Sequence, residues 1–125
     1  MYNGKPIIST ALSTDGSLIA LIPKVRMFDG IANFKGEAIF PYLTYEELTN
    51  NIGLTADDDE VESEVTFRIH LWGTSSLSTL AGHINRIMTA IGYTRNFSMD
   101  NNELNDDGQA IKHKILSFSG TFTNN

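Results

Sequence analysis

Strict alternation of apolar and polar side chains marks one segment of the chain as a half-buried β-strand. Over Val61–Trp72, Val61, Val65, Phe67, Ile69 and Leu71 point one way, while charged, hydroxyl-bearing and imidazole side chains point the other. Successive side chains of a strand project to opposite faces of a sheet. The pattern therefore predicts a strand with one face in the core and the other in water.

The segment that follows has the period of an amphipathic helix. Thr74, Ser75 and Ser76 offer hydroxyl groups for a helix N-terminus, and Gly92 stands where a glycine commonly ends a helix. Between them one apolar stripe contains Leu77, Leu80, Ala81, Ile84, Ile87, Met88 and Ile91. We expect this stripe to pack on the sheet and the polar face to meet water or a polar partner.

The N-terminal third is predicted to be helical and then extended. Apolar spacing and an early proline favour a helix over Ile7–Ser13, and a second helical turn over Ser17–Leu21 ends at Pro23. Lys24–Phe28 is rich in strand formers and is closed by a turn dipeptide, which indicates a short strand. Ile31–Phe40 has no clean period and is predicted to be a loop.

A second strand and a polar connection come next. Tyr42–Thr49 is predicted to be a strand with an exposed, charged end. Asn50–Glu60 is polar and ends in four consecutive carboxylates that repel one another. We expect a long mobile loop here, over residues 50–62 at its widest.

The C-terminal third is predicted to be a hairpin. Tyr93, Arg95, Phe97 and Met99 form one alternating row, a polar break at Asp100–Gln109 contains an Asp-Gly turn, and Ala110–Phe122 is the closing strand. In that last strand the apolar side chains change from odd-numbered to even-numbered positions near Ile115 and Leu116. Either a β-bulge or a second buried face explains such a change.

These elements follow one another in the order α-β-β-β-α-β-β. The order predicts the α+β class, with two helical segments packed on a mostly antiparallel sheet. A chain of 125 residues suits a single hydrophobic core, so we expect one domain over residues 1–125.

Composition and charge exclude several classes of protein. With 41% hydrophobic and 19% charged residues the chain should fold, and the absence of cysteine excludes disulfide scaffolds, thiolate metal sites and cysteine nucleophiles. A net charge of −6 repels phosphate backbones, so stable nucleic-acid binding is not expected. No apolar window reaches a membrane span and the first residues do not resemble a signal peptide. We therefore expect a soluble, unprocessed protein without a membrane partner.

No motif predicts catalysis, a cofactor or a metal. His70, His83 and His113 lack the spacing that aims two rings at one ion, and none is predicted to be a proton shuttle. The acidic run lacks the glycine and the terminal glutamate of a calcium-binding EF-hand loop. Phosphate-binding glycine motifs and the nucleophile elbow of hydrolases are also missing. The sequence therefore predicts a protein that is not an enzyme.

Trp72 is the only tryptophan and ends the most regular strand, directly before the strand-to-helix corner. Two interpretations are open for it. Its ring packs as a structural corner residue, or it anchors a partner, since tryptophan is enriched at the energetic centres of interfaces.

The succession of motifs resembles the small tail-completion proteins of long-tailed bacteriophages. The segments that carry the likeness are "LSTDGSLIALIPKVRMFDG", "FPYLTYEELT", "VTFRIHLWGTS" and "HKILSFSGTF". Within them the matching positions are Phe28-Asp29-Gly30, Pro41-Tyr42 and Leu71-Trp72-Gly73-Thr74-Ser75. The resemblance covers roughly Ile7 to Phe122, and the acidic connection is longer than is typical of that family.

This resemblance implies a virion protein, made in the host cytoplasm, that caps the head-proximal end of the tail tube and joins it to the head connector. It implies a ring of copies, commonly six, around the channel through which DNA passes. Expected partners are further copies of the chain, the tail tube protein and the head connector or stopper protein. A net-negative chain is consistent with DNA sliding past it without being held.

From these considerations we expect the acidic connection to order on assembly, lining the channel or touching the adjacent tube ring. The candidate residues are Asp57, Asp58, Asp59, Glu60, Glu62 and Glu64, together with Trp72 as an interface or corner residue. Other interpretations stay open: a head-completion or adaptor protein of the neck, a minor or major tail protein, or a small cytoplasmic α+β enzyme or ligand-binding domain.

Overall fold

The computed structural model describes residues 1–56 and 59–123, apart from the side chains of residues 59 and 60. Its helices are α1 (Lys5–Thr14), α2 (Gly16–Ile19) and α3 (Ser78–Ala90), with a single 3-10 turn at Lys24–Arg26. Its strands are β1 (Met27–Asp29), β2 (Tyr42–Ala56), β3 (Asp59–Gly73), β4 (Thr94–Asp100), β5 (Glu103–Leu104) and β6 (Ala110–Thr123).

The strands form a six-stranded sheet in the order β1-β2-β3-β6-β4, with β5 paired to β6. Only β1 runs parallel to its neighbour, and the other pairs are antiparallel. The predicted α+β class with a mostly antiparallel sheet is therefore confirmed. The short β5 lies in the polar break of the sequence, where no strand was predicted.

The core lies between one face of the sheet and the helices. Phe67, Ile69 and Leu71 of β3 are fully buried there, beside Leu116 and Phe118 of β6. The helices contribute Ile8, Leu12, Leu18, Leu80, Ile84, Ile87 and Met88. The predicted inward row of β3 and the predicted stripe of α3 are thus confirmed, since each buries the apolar side that its period marks.

Local differences from the predictions have simple causes. Lys24–Arg26 adopts a 3-10 turn, so the predicted strand at Lys24–Phe28 begins later, at Met27. Gly92 ends α3 with a φ of +99°, as predicted, but the N-cap residue is Leu77, whose side chain has no polar atom. The hydroxyl of Ser76 accepts a long hydrogen bond of 3.4 Å from the Ser78 amide instead.

The predicted loop over residues 50–62 is wrong, because most of it is β-structure. Residues up to Ala56 continue β2, and residues from Asp59 onward belong to β3, so the two strands form one long hairpin. Irregularities in their pairing leave out Leu48, Gly53 and Val61. These bulges keep the two strands paired through a polar, glycine-containing segment whose composition favours a loop.

The change in the apolar positions of β6 arises because both faces of this strand are buried near Ile115 and Leu116. Pairing of β6 with β3 runs without a register shift from Glu62 to Gly73, so β6 has no bulge against β3. The side chains of Ile115, Leu116, Ser117 and Phe118 are all buried, although they alternate between the two faces. The bulge lies in the neighbouring β4, between Arg95 and Phe97.

An ion pair joins the N-terminal helices to α3. The Asp15 side chain accepts a hydrogen bond from the Leu18 amide and so caps α2, and Arg86 of α3 donates to both of its oxygens at 2.9 and 3.0 Å. The hydrogen bond from Arg86, followed by the one from the Leu18 amide, lowers the pKa of Asp15 to about 2. One carboxylate therefore caps one helix and orients another.

A close contact at Gly4 closes the end of the core. Gly4 is buried, and a Cβ atom at this position would lie 2.7 Å from the Tyr93 hydroxyl oxygen. That hydroxyl is buried and has no hydrogen-bond partner among the described residues, and burial raises the pKa of Tyr93. The absence of a side chain at Gly4 is what makes room for the Tyr93 ring.

Candidate functional site

The face of the sheet opposite the helices carries aromatic and imidazole side chains at one end. Strand register places Tyr42 of β2 opposite Trp72 of β3, and Trp72 opposite His113 of β6. These positions alternate with the buried row of β3, so their side chains project from the other face. We call this side of the sheet the open face.

Three rings on the open face stack across the strands. The ring centres of Tyr42 and Trp72 are 4.9 Å apart with planes 16° from parallel, and those of Trp72 and His113 are 4.3 Å apart at 14°. Phe40 packs on the outer end of the stack, 5.5 Å from Tyr42. We call Phe40, Tyr42, Trp72 and His113 the aromatic row. Its spacing is close to the distance between neighbouring strands, so the sheet itself sets it.

A chain of hydrogen bonds lies beside the row. His70 Nε2 is 3.0 Å from the Glu46 carboxylate oxygen Oε1, and His70 Nδ1 is 2.8 Å from His113 Nε2. With both rings neutral, His70 donates to Glu46 and His113 donates to His70.

The surroundings of His113 disfavour its protonated form. Burial, followed by the charge of His70, lowers the pKa of His113, although the nearby Glu103 acts in the opposite direction. Two protonated rings at 2.8 Å would repel each other and leave Nε2 of His113 without an acceptor. His113 therefore resists protonation in the folded protein.

The chain of hydrogen bonds consists of two imidazoles and the Glu46 carboxylate. Among the described residues no group of three His, Cys, Asp or Glu side chains is arranged to hold a metal ion. Across the same part of the chain no helix is long and apolar enough to cross a bilayer.

The structure separates the residues that the sequence grouped as a candidate site. Glu62 and Glu64 lie on β3 and share the open face with Trp72, but Glu64 is eight positions away, which is roughly 26 Å of extended strand. Asp57 and Asp58 lie outside the described residues, as do the side chains of Asp59 and Glu60. Trp72 is half-buried in the aromatic row, on the face away from the core.

The hairpin that replaces the predicted loop exposes apolar side chains. Leu48 is 41% exposed, Ile52 is 64% exposed and Leu54 is 52% exposed, all in the far part of β2. We call β2 from Leu48 onward, with the paired part of β3, the hairpin arm. The bulge at Gly53 places Ile52 opposite Ser63 and Leu54 opposite Glu62, so these two side chains project from opposite faces of the arm. Clustered exposed apolar side chains are a common feature of surfaces that bind other proteins.

The pairing of His70 with His113 is not apparent from the sequence. The two residues are 43 positions apart and neither belongs to a motif. Their contact depends on the register between β3 and β6, which a single sequence does not fix. The available signal was that both residues occupy outward positions of predicted strands near the same corner.

Among known proteins, the chain matches solved structures. Neither a family model nor a curated protein matches the chain. Among solved structures it is similar to a chain in the virion of a native gene transfer agent (GTA) particle, at 13% sequence identity and a TM-score of 0.58. The match covers 94% of this chain and 92% of the other. At that identity the two chains share the fold.

Proposed function

We propose that this chain is a structural virion protein that caps the head-proximal end of a phage-type tail tube and joins the tail to the head connector. The observation that carries the proposal is the fold shared, over 94% of the chain, with a component of a gene transfer agent virion. The motif resemblance to tail-completion proteins supports the same position in the particle, and no enzymatic step or cofactor is part of the proposal.

Two unpaired sheet edges support assembly into a ring. β4 is an edge strand, and all seven of its residues are exposed. On the other side, β1 covers β2 only from Leu43 to Tyr45, and no other described strand pairs with that edge of β2. Different patches at opposite ends of one subunit suit head-to-tail association, which closes into a ring when the rotation allows it. We propose six copies.

The hairpin arm supports a contact with a neighbouring subunit or with the adjacent tube ring. It extends as paired strand beyond β1, and it combines exposed Ile52 and Leu54 with the carboxylates of Glu62 and Glu64. Apolar side chains supply the area that an interface buries, and acidic ones keep phosphate from adhering nearby. We propose that this arm and the acidic residues 57–60 line the channel or touch the tube.

The proposed partners are further copies of the chain, the tail tube protein and the head connector or stopper protein. The proposed location is the virion, after assembly in the host cytoplasm. DNA passes through the ring without being stably bound, because a net charge of −6 gives few contacts that release counterions from phosphate.

Electron microscopy of particles made without this protein tests the proposal. Full heads beside separate tails of abnormal length are the expected result, because both termination and joining would be lost. Empty heads beside tails of normal length would assign the chain to the head side of the neck. Intact, infectious particles would contradict a role in either place.

A further inference from the structure

We infer that the groove beside the aromatic row binds an extended, arginine- or lysine-bearing segment of a partner protein. This inference goes beyond the proposed function, since it names a binding surface and the chemistry of its occupant. It stands on the shape, polarity and charge of the groove and not on the position of the chain within a virion.

The groove lies between two loops over the open face of the sheet. Phe40, Tyr42, Trp72 and Ile111 form its floor. One wall is the segment around Glu37 and Ala38, and the other is β5 with the turn that leads into β6. The space between the walls is about 630 Å³, which is sufficient for a few residues of extended peptide.

The charges around the floor all have one sign. Glu37, Glu103, Asp106 and Asp107 line the groove, and no lysine or arginine is among its lining residues. All four acidic residues are exposed, and within the described part of the chain none of them forms an ion pair. The charge of Glu103 reaches the floor, because burial, followed by this charge, raises the pKa of Tyr42.

This combination fits a long cationic side chain better than it fits a neutral or an acidic one. Arginine and lysine lay their aliphatic stems along apolar surface and keep their charged ends in water. In the groove the stem would contact ring edges, because the faces of Trp72 are already covered by Tyr42 and His113. The charged end would reach the carboxylates of the walls, where hydrogen bonds to ionised groups are strong.

Trp72 reports directly on this groove, because it is the only tryptophan in the chain and lies in the floor. We would titrate the whole protein at low salt with the acetylated, amidated peptide Gly-Arg-Ala-Arg-Gly while recording tryptophan emission. The same peptide with citrulline in place of arginine is the neutral control. The spacing of two puts both arginines on one side of an extended peptide.

Two double variants that lose the same charge distinguish binding in the groove from a general attraction between the acidic protein and the cationic peptide. Glu103→Gln with Asp106→Asn removes two wall carboxylates, while Asp29→Asn with Glu47→Gln removes two exposed carboxylates away from the groove. We expect saturable binding of the arginine peptide, weakened roughly three- to ten-fold by the wall variant and by less than two-fold in its matched control, as for one or two exposed ion pairs. Far-ultraviolet circular dichroism confirms that both variants fold.

Three results would overturn the inference. The first is equal binding of the citrulline and arginine peptides, and the second is an equal loss of affinity in the two double variants. The third is Trp72 emission that does not respond to millimolar peptide. A fourth result would assign the groove to a second copy of this chain. In that case Trp72 emission changes with protein concentration in the absence of peptide, and this change disappears in the wall variant. None of these results bears on the tail-completion proposal, which particle morphology tests separately.

Discussion

His70 and His113 face each other across neighbouring strands, with Nδ1 of the first 2.8 Å from Nε2 of the second. Their rings also stack, at 5.1 Å between centres, and each packs on Trp72. The hydrogen bond requires that one of the two nitrogens lack a proton. The corner of the sheet where β3 meets α3 is therefore sensitive to acid.

We expect the free energy of unfolding to fall as the pH is lowered below about 6.5. The pKa of His113 lies below its ordinary value of 6.5 in the folded chain, so the unfolded chain takes up the proton first. Stability from this source is complete above pH 6.5 and is lost progressively as the pH falls towards the folded pKa of His113. Urea unfolding at a series of pH values measures it.

A pair of variants identifies the responsible ring. His113→Gln should flatten the pH dependence between about pH 6.5 and 5, since no second imidazole then needs to be protonated. His83→Gln is the comparison for an imidazole outside the aromatic row, since the His83 ring lies beside Arg86 on α3. Equal slopes in the wild type and the His113 variant would show that the acid sensitivity has another origin.

Tyr93 has a buried hydroxyl with no hydrogen-bond partner among the described residues, so Tyr93→Phe should not destabilise the protein. An unpaired buried polar group opposes folding, and we expect a gain of roughly 0 to 1 kcal/mol in the free energy of unfolding. Chemical denaturation compares the two proteins. A loss above about 1 kcal/mol would reveal a partner for the hydroxyl.

Gly4→Ala should destabilise by about 1–3 kcal/mol, because the new methyl group would lie 2.7 Å from the Tyr93 oxygen and 3.1 Å from the Tyr2 ring. Part of this loss should be recovered in the double variant with Tyr93→Phe. The Tyr2 contact remains there, so recovery should be incomplete. Simple addition of the two single effects would show that the two sites do not interact. Gly16→Ala, with open space around its Cβ position, is the control for glycine replacement at the start of a helix.

Asp15→Asn should lower the melting temperature at neutral pH, because the amide neither carries the charge that pairs with Arg86 nor presents two equivalent oxygens. The pKa of Asp15 is lowered from 3.8 to about 2, so the contribution is complete above pH 3.8 and is lost as the pH falls through about 2. The melting temperatures of wild type and variant should converge over that interval. A constant difference down to pH 2 would contradict an origin in the ionised carboxylate, because protonation removes its charge.

Ile52→Lys and Leu54→Lys should impair assembly while leaving subunit stability almost unchanged. Both side chains are more than half exposed in the isolated chain, so a charge there costs little until the surface is buried against a neighbour. Sedimentation velocity and negative-stain microscopy report the assembled state. Ile31→Lys, at 83% exposure and outside the arm, is the matched substitution. Equal effects of the substitutions at residues 31 and 52 on assembly would contradict a specific role of the arm.

Replacing Asp57, Asp58, Asp59 and Glu60 by Asn or Gln should be tolerated in folding but should reduce particle infectivity. Since folding gains nothing from four adjacent like charges, the carboxylates are expected to serve the assembled particle. The variant subunit should melt at the wild-type temperature, and its particles should form fewer plaques. Normal plaque formation would eliminate the electrostatic argument.

The amino-acid pattern predicts the fold well wherever periodicity is strong. The inward row of β3 and the stripe of α3 are regular, and both bury the sides that their periods mark. The sequence pattern predicts a loop for the arm because asparagine, glycine and carboxylates disfavour strands locally. Pairing with β3 and bulges near Leu48 and Gly53 accommodate these residues in a strand. Local propensity does not include that long-range contribution.

The open face was less predictable than the core. Trp72 is a candidate residue from the sequence because it is the only tryptophan. Its neighbours Tyr42 and His113 are not apparent from the sequence, since they lie on strands that are distant along the chain. Which side chains meet on a sheet face depends on strand order and register, and a shift of one residue would exchange the faces. The acidic walls of the groove likewise come from separate loops.

The unbroken register of β3 with β6, from Glu62 to Gly73, constrains how such a chain can change through evolution. A residue gained or lost within that stretch would move the buried row outward and the aromatic row inward at once. The pairing of β2 beyond Glu47 already contains extra residues, so insertions there displace the arm and not the core. Relatives of this protein should therefore differ in arm length through β2 and keep the length of β3 between the arm and the aromatic row.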